Sequence, residues 1–404
     1  MNNWRINLTV LWIGNFMVMG SVTMVTPFLT MYVQELGVQD PDEIAAWAGL
    51  IFAANFVTLF LFQPLWGSLA DRYGRKLMLL RAGFGIAIIV GMMGFASSPW
   101  QLLALRFLSG VVSGFTPAAT ALVAANTPNE RMGFAMGVLH SGNVSGMILG
   151  PLFGGLFAEW IGIRYSFFVT GAVTLAASIL VALFVREKFQ TASTVRNNEH
   201  SIYQGMRVLL NTKPLPTLFT ISVVIQFALV SSLPLIPLFV EELQGGGGQL
   251  AFYVGLVISV MGVSNLIFSP LVGRWGDRIG FKPILAISLL GAGFAFLMQC
   301  FVWHYWQLLA SRFLLGVFMG GLIPSVRALI KHYSPPGMES RAYSFDTSAV
   351  SFGSMLGPIL AGGLSRYMGI RGIFFMTAIL LFANFYWVRR SLLSRVSSIS
   401  SLKG

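Results

Sequence analysis

The sequence predicts an all-α integral membrane protein with twelve transmembrane helices. They form two bundles of six, related by a pseudo-twofold axis along the membrane normal. Three observations predict this class. First, 55% of the 404 residues are hydrophobic and only 10% are charged, whereas a soluble domain carries about 25% charged residues. Second, apolar runs such as Phe84–Ala96 and Ile284–Val302 are long and continuous. A membrane β-barrel would instead show alternating segments of about ten residues. Third, the chain repeats itself. Trp100-Gln-Leu-Leu-Ala-Leu-Arg106-Phe107 returns as Trp306-Gln-Leu-Leu-Ala-Ser-Arg312-Phe313, and Gly150-Pro151 returns as Gly357-Pro358. A duplicated membrane unit commonly encloses a substrate path between its halves.

A span needs about 20 helical residues. Runs of that length fall at 8–33, 45–70, 77–97, 100–125, 132–157 and 164–185, then at 215–240, 250–272, 282–302, 306–330, 341–364 and 370–388. The first is not read as a signal peptide, because it is long, Pro27 interrupts it and no small-residue cleavage pattern follows. Landmarks align the two units: Pro27 with Pro234, Pro64 with Pro270, and Gly162-Ile-Arg164 with Gly369-Ile-Arg371. The polar stretch 186–214 separates residues 1–185 from 215–404. It is expected to be a cytoplasmic linker with one short amphipathic helix around Ile202–Leu210 lying on the anionic leaflet. Gly245–Gly248 is expected to be an external turn, and a short cytoplasmic tail follows the last helix.

The formal charge of +12 does not point to nucleic acid. With both termini inside, most basic residues fall in cytoplasmic segments, and Arg164, Arg366 and Arg371 fall outside them. That is the positive-inside bias of a multi-pass protein of the cytoplasmic membrane. The single Cys300 excludes an intrachain disulfide. No Gly-(x4)-Gly-Lys-Ser/Thr loop, metal-ligand cluster or catalytic triad spacing is present. The reading is therefore of a protein that is not an enzyme, uses no cofactor, and draws energy from an ion or substrate gradient.

Three motifs, each with a copy in the second repeat, carry the functional reading. Gly67-(x3)-Asp71-Arg72-(x)-Gly74-Arg75-Lys76 lies between helices 2 and 3, and a weaker copy holds Asp277, Arg278 and Lys282. Arg106-(x3)-Gly110-(x3)-Gly114 gives helix 4 a charge and two small residues for close packing, with Arg312 as its duplicate. A charge at that depth costs several kcal/mol unless it snorkels, pairs or meets water (roughly 2.5–3.5 on insertion scales). Helix 5 holds Gly146, Gly150, Pro151, Gly154 and Gly155. These residues make a flat face and a kink.

These segments resemble the signature loop, the helix-4 motif and the helix-5 antiporter motif of the major facilitator superfamily. The resemblance covers the whole chain and is closest to its twelve-helix drug:proton antiporters. It implies that Gly67 lets helix 2 approach helix 11. It implies that Asp71 and Arg75 form a charge network at the cytoplasmic gate, that Arg106 is linked to proton transfer, and that transport runs outward. Many such exporters carry an acid within helix 1. Here that helix has Asn15, Thr23 and Thr26, with no acid before Glu35 at its outer end.

The embedded acid is Asp346, and its counterpart in helix 5 is near His140. Asp346, Arg106, His140, Arg312 and Glu35 are the candidates for proton coupling or substrate contact. Asn15, Asn143 and Gln226 are the cavity candidates. The expected function is proton-coupled export of lipophilic, cationic small molecules by alternating access, by a monomer whose other partners are protons and membrane lipids. Export or flipping of one specific lipid, sugar or metabolite is the alternative, and a non-transporting membrane sensor a more distant one.

Overall fold

The computed structural model describes residues 3–128, 131–187, 202–245, 248–335 and 338–393. Of the expected linker, residues 188–201 lie outside the described residues, as do Gly246, Gly247 and the tail from residue 394. The helices are α1 (Asn3–Val25), α2 (Leu29–Glu35), α3 (Pro41–Tyr73), α4 (Arg75–Met93), α5 (Pro99–Val112), α6 (Phe115–Asn126), α7 (Met132–Ile161) and α8 (Ile163–Phe184). They continue as α9 (Ile202–Asn211), α10 (Leu215–Ser231), α11 (Ile236–Gln244), α12 (Leu250–Ile279), α13 (Phe281–Cys300), α14 (Tyr305–Tyr333) and α15 (Glu339–Val388).

Among the described residues, eleven helical segments are long and apolar enough to cross a bilayer. The last, Arg341–Ser391, has 51 residues. At 1.5 Å per residue it would run about 77 Å, far beyond the roughly 30 Å hydrocarbon core. It breaks at Gly369, whose φ of 67° and ψ of 174° are not helical, so it holds two spans and the twelve expected are present. The multi-pass membrane class is therefore as the sequence predicts.

The connections are tighter than expected. Gly74, Gly162 and Gly280 are each the single residue between two helices, with φ of 99°, 88° and 91°. An L-side chain rarely adopts that backbone, so glycine permits a one-residue reversal where the hydropathy suggested a loop. Gly74 matches Gly280 and Gly162 matches Gly369 in the two repeats. Spans 1 and 7 each bend at a 3-10 turn holding Pro27 or Pro234, because proline lacks the N–H that would continue the ladder.

The chain divides into two compact units. The first holds Met1–Arg196 and Ile236–Ser259, and the second holds Asn197–Leu235 and Val260–Gly404. Within the first unit, α1, α4, α6, α7 and α8 pack a core that includes Leu11, Leu79, Phe115, Leu122, Leu139 and Val181. The stretch Ile236–Ser259 joins it through named contacts. Gln34 Nε2 donates to Glu241 Oε2 at 3.2 Å, and the Ala251 N–H donates to Glu159 Oε1 at 2.8 Å. In the second unit, α10 packs along the first half of α15 in the way that α1 packs along α7 in the first unit.

Candidate functional site

The helix-5 motif lies on α7, and the structure identifies the neighbour its flat face serves. Gly142, Gly146, Gly150 and Gly154 stack along α1 at four-residue intervals. A Cβ on Gly146 would stand 2.7 Å from the Gly20 nitrogen, and one on Gly154 would stand 2.8 Å from the Met24 carbonyl carbon. Thr23 Oγ1 donates to the Gly146 carbonyl at 3.1 Å. On the adjoining edge, a Cβ on Gly155 would meet the Ala251 carbonyl oxygen at 2.6 Å. Pro151 sits inside α7. Small residues let backbones touch where lipid supplies no hydrophobic drive between helices.

The signature loop begins at the Gly74 reversal. Gly67, Asp71 and Arg72 fall in the last part of α3, and their side chains lie outside the described residues. Arg75 and Lys76 open α4. Their backbone N–H groups donate to the two carboxylate oxygens of Glu187, at 3.0 and 2.8 Å. Arg75 Nη1 donates to the Ala121 carbonyl at 3.2 Å, and Lys76 Nζ to the Ala182 carbonyl at 2.9 Å. Arg186 and Asn7 exchange two further bonds, of 2.7 and 3.0 Å. Glu187 thus caps a helix whose free amides favour an anion. Glu187 belongs to the polar stretch 186–214, and nothing in its spacing points to these amides. In the second repeat, Asp277 and Arg278 end α12, exposed, just before the matching Gly280.

Arg106 is 5% exposed on α5, and its Nε has no hydrogen-bond partner among the described residues. Gly110, one turn on, packs against Asn55 and Thr58 of α3, as expected of a small residue on that face. Gly114 does not continue the packing face. Its φ is 129°, and span 4 breaks there into α5 and α6. Ser113 is extended, so the ladder loses its partners, and two side chains replace them. Trp66 Nε1 donates to the Val111 carbonyl at 2.6 Å, and Arg81 Nη2 donates to the Ser113 carbonyl at 3.1 Å. The Arg81 guanidinium stacks over the Trp66 ring, 3.6 Å from its centroid. Irregular backbone at membrane depth survives only with such substitutes.

Arg312 is 1% exposed on α14. Its Nη2 donates to Ser232 Oγ at 3.2 Å, and its guanidinium lies 5.9 Å from the Phe374 ring centroid. The two duplicate arginines are therefore both buried, but in different company.

Asp346 is 4% exposed on α15, and Ser222 of α10 donates to its Oδ1 at 2.5 Å. Arg327 of α14 is a cation within electrostatic reach of it. The helix-5 counterpart His140 is exposed on α7, and Glu35 is exposed at the end of α2. Asn15 is fully buried and spoken for: it donates to the Leu139 carbonyl at 3.4 Å and accepts from Thr116 Oγ1 at 2.9 Å. Asn143 is half-buried, and its Oδ1 has no partner among the described residues. Gln226 is half-buried on α10, beside Gly353 of α15.

Comparison with known proteins follows this geometry. The family model described as Major Facilitator Superfamily matches residues 11–263 and 247–400. A protein of Salmonella arizonae, named multidrug resistance protein MdtG, is 39% identical over 385 residues, covering 95% of each chain. Its namesake in Citrobacter koseri is 38% identical over 399 residues, covering 99% of this chain and 98% of its own. Among solved structures, the nucleoside transporter NupG superposes with a TM-score of 0.80 at 14% identity, covering 96% of this chain and 99% of that one. At that identity the likeness concerns the fold.

Proposed function

The chain belongs to the major facilitator superfamily, and from that premise we propose that it exports lipophilic, cationic drug-like compounds in exchange for protons. The drug-efflux reading is supported by the relatives at 38–39% identity, whose name is multidrug resistance protein. The positive-inside distribution supports a cytoplasmic-membrane location with both termini inside. The pump works as a monomer by alternating access.

One observation carries the coupling. Asp346 is the buried carboxylate among the described residues. It stands on a span, paired with a neutral hydroxyl on a neighbouring helix. A carboxyl group in an apolar bundle can be charged or neutral at modest cost when its surroundings change with the cycle, and this is what proton exchange demands. The charged form also suits a cationic substrate, so proton and substrate compete for one group.

The test uses purified protein in proteoliposomes. An imposed pH gradient should drive extrusion of a cationic dye, and Asp346→Asn should reduce that flux to background. The amide oxygen can accept from Ser222, so packing is retained. Gradient-driven flux that persists in this variant reassigns the proton.

A further inference from the structure

Arg312 reaches span 7 at the point where that span changes company. Its side chain is 1% exposed, and Nη2 donates to Ser232 Oγ at 3.2 Å. Ser232 is fully buried at the end of α10, and its carbonyl accepts from the Leu235 N–H at 3.1 Å. That bond closes the 3-10 turn that holds Pro234. Between Leu235 and Ile236 the chain passes from the second compact unit to the first. Before the turn, the end of α10 is held by residues of its own unit. Besides the Arg312 bond, Ser231 Oγ lies 3.5 Å from Thr377 Oγ1, and a Cβ on Gly357 would stand 3.1 Å from the Ser231 nitrogen. After the turn, Glu241 of α11 accepts from Gln34 of the first unit.

We propose that Arg312 is a positioning residue for transport: through Ser232 it fixes the pivot about which the outer part of span 7 moves in each cycle. The turn is where span 7 can bend, because Pro234 already interrupts the hydrogen-bond ladder there. Domain motions are absorbed at a few such element ends. A bend becomes a pivot only when one side of it is held. A bond from a buried cation holds well, since an Arg312 that let go of Ser232 would lose an acceptor where no water replaces it. Its Nε already has no hydrogen-bond partner among the described residues. The first repeat supplies the contrast. Pro27 matches Pro234, so Val25 stands where Ser232 does, and its side chain accepts no hydrogen bond. Span 1 lies wholly within the first unit. The arginine is duplicated, but its serine partner occurs only in the copy whose span changes units. This role takes the place of proton exchange or substrate contact for Arg312. It rests on alternating access and not on Asp346.

The experiment places spin labels at Leu243 on α11 and Trp306 on α14, with Cys300→Ser removing the single native cysteine. Distances between the labels are measured in full-length protein in liposomes, with and without a cationic dye. Without further changes, the labelled protein should give two narrow populations whose ratio shifts with dye. Ser232→Ala should broaden both. It should also lower gradient-driven dye turnover on the order of tenfold, the scale of one hydrogen bond to a charged group. Equilibrium dye binding should change less than about twofold. Arg312→Gln should do the same, and Ser232→Ala should add nothing to it if the pair acts through one contact. Arg312→Lys, which keeps a charged donor, should stay closer to the parent than Arg312→Gln. Because Ser232→Ala removes a single oxygen, it remains informative if the Arg312 variants fail to fold. Unchanged distances in Ser232→Ala overturn the pivot, whatever its turnover, and so does loss of dye binding in that variant. A single population in the parent under both conditions overturns alternating access and the pivot with it.

Discussion

The two repeats share their turns and differ in their polar groups. Gly74 and Gly280 reverse the chain in the same way, and Pro27 and Pro234 bend matching spans. The glycine face of α7 against α1 is repeated by Gly353 and Gly357 of α15 against α10. Yet the acid Asp346 is matched by the exposed His140. The broken, cation-capped span 4 is matched by α14, which runs unbroken from Tyr305 to Tyr333. Glu187 is matched by no acid at all. Duplication supplied a scaffold whose geometry is held by glycine and proline. The buried acid and the broken span are found where one copy departs from the other.

The largest effect should separate Asp346 from its counterpart. If coupling lives in the second repeat, Asp346→Asn lowers gradient-driven efflux on the order of 100-fold, while His140→Gln stays within about twofold. Counterflow in proteoliposomes, with and without a pH gradient, measures both. Equal losses in the two variants would dissolve the asymmetry.

The next effect concerns the shared scaffold. Gly154→Ala places a methyl group 2.8 Å from the Met24 carbonyl carbon, whereas Gly357→Ala meets the Phe227 oxygen at 3.0 Å and Gly133→Ala meets nothing within 4 Å. Overpacking costs about 1–3 kcal/mol, and alanine relieves a helical glycine of roughly 0.5–1 kcal/mol. Thermal melting in detergent should therefore rank Gly154→Ala below Gly357→Ala, with Gly133→Ala at or above the wild type.

Much of this scaffold was legible in the sequence for a physical reason. Span length is set by the bilayer, and repeated Gly and Pro positions mark backbone constraints that side-chain chemistry cannot mask. What was not legible depends on contacts across the chain. Glu187 looked like one more charge in a linker, because its partners are amides more than a hundred positions away. Sequence spacing cannot show that the Arg81 guanidinium reaches the Ser113 carbonyl. Gly114 continued a four-residue spacing and so suggested packing, although its backbone ends a helix. Asn15 was a cavity candidate, and the structure ties it to Leu139 and Thr116.

The Glu187 cap offers a third comparison. Glu187→Ala removes the acceptor for two amides at the start of α4, and losing such a cap costs about 0.5–2 kcal/mol. Glu187→Gln should recover part of this, because its oxygen still accepts one bond. Hydrogen exchange at the first turns of α4 and α13 reads the contrast directly. α4 should be the better protected in the wild type, and the two should converge in Glu187→Ala.

The smallest effect tests the break in span 4. Trp66→Phe keeps an aromatic face under Arg81 but removes the donor to the Val111 carbonyl. One hydrogen bond contributes about 0.5–1.5 kcal/mol net, so melting should fall modestly. Arg81→Gln removes the cation and can still donate toward Ser113. If ring and guanidinium act together on the break, the double variant costs less than the two single losses added. The coupling should be at least about 0.5 kcal/mol, as residues in direct contact show. Strict additivity would mean that each side chain satisfies its own carbonyl independently of the other.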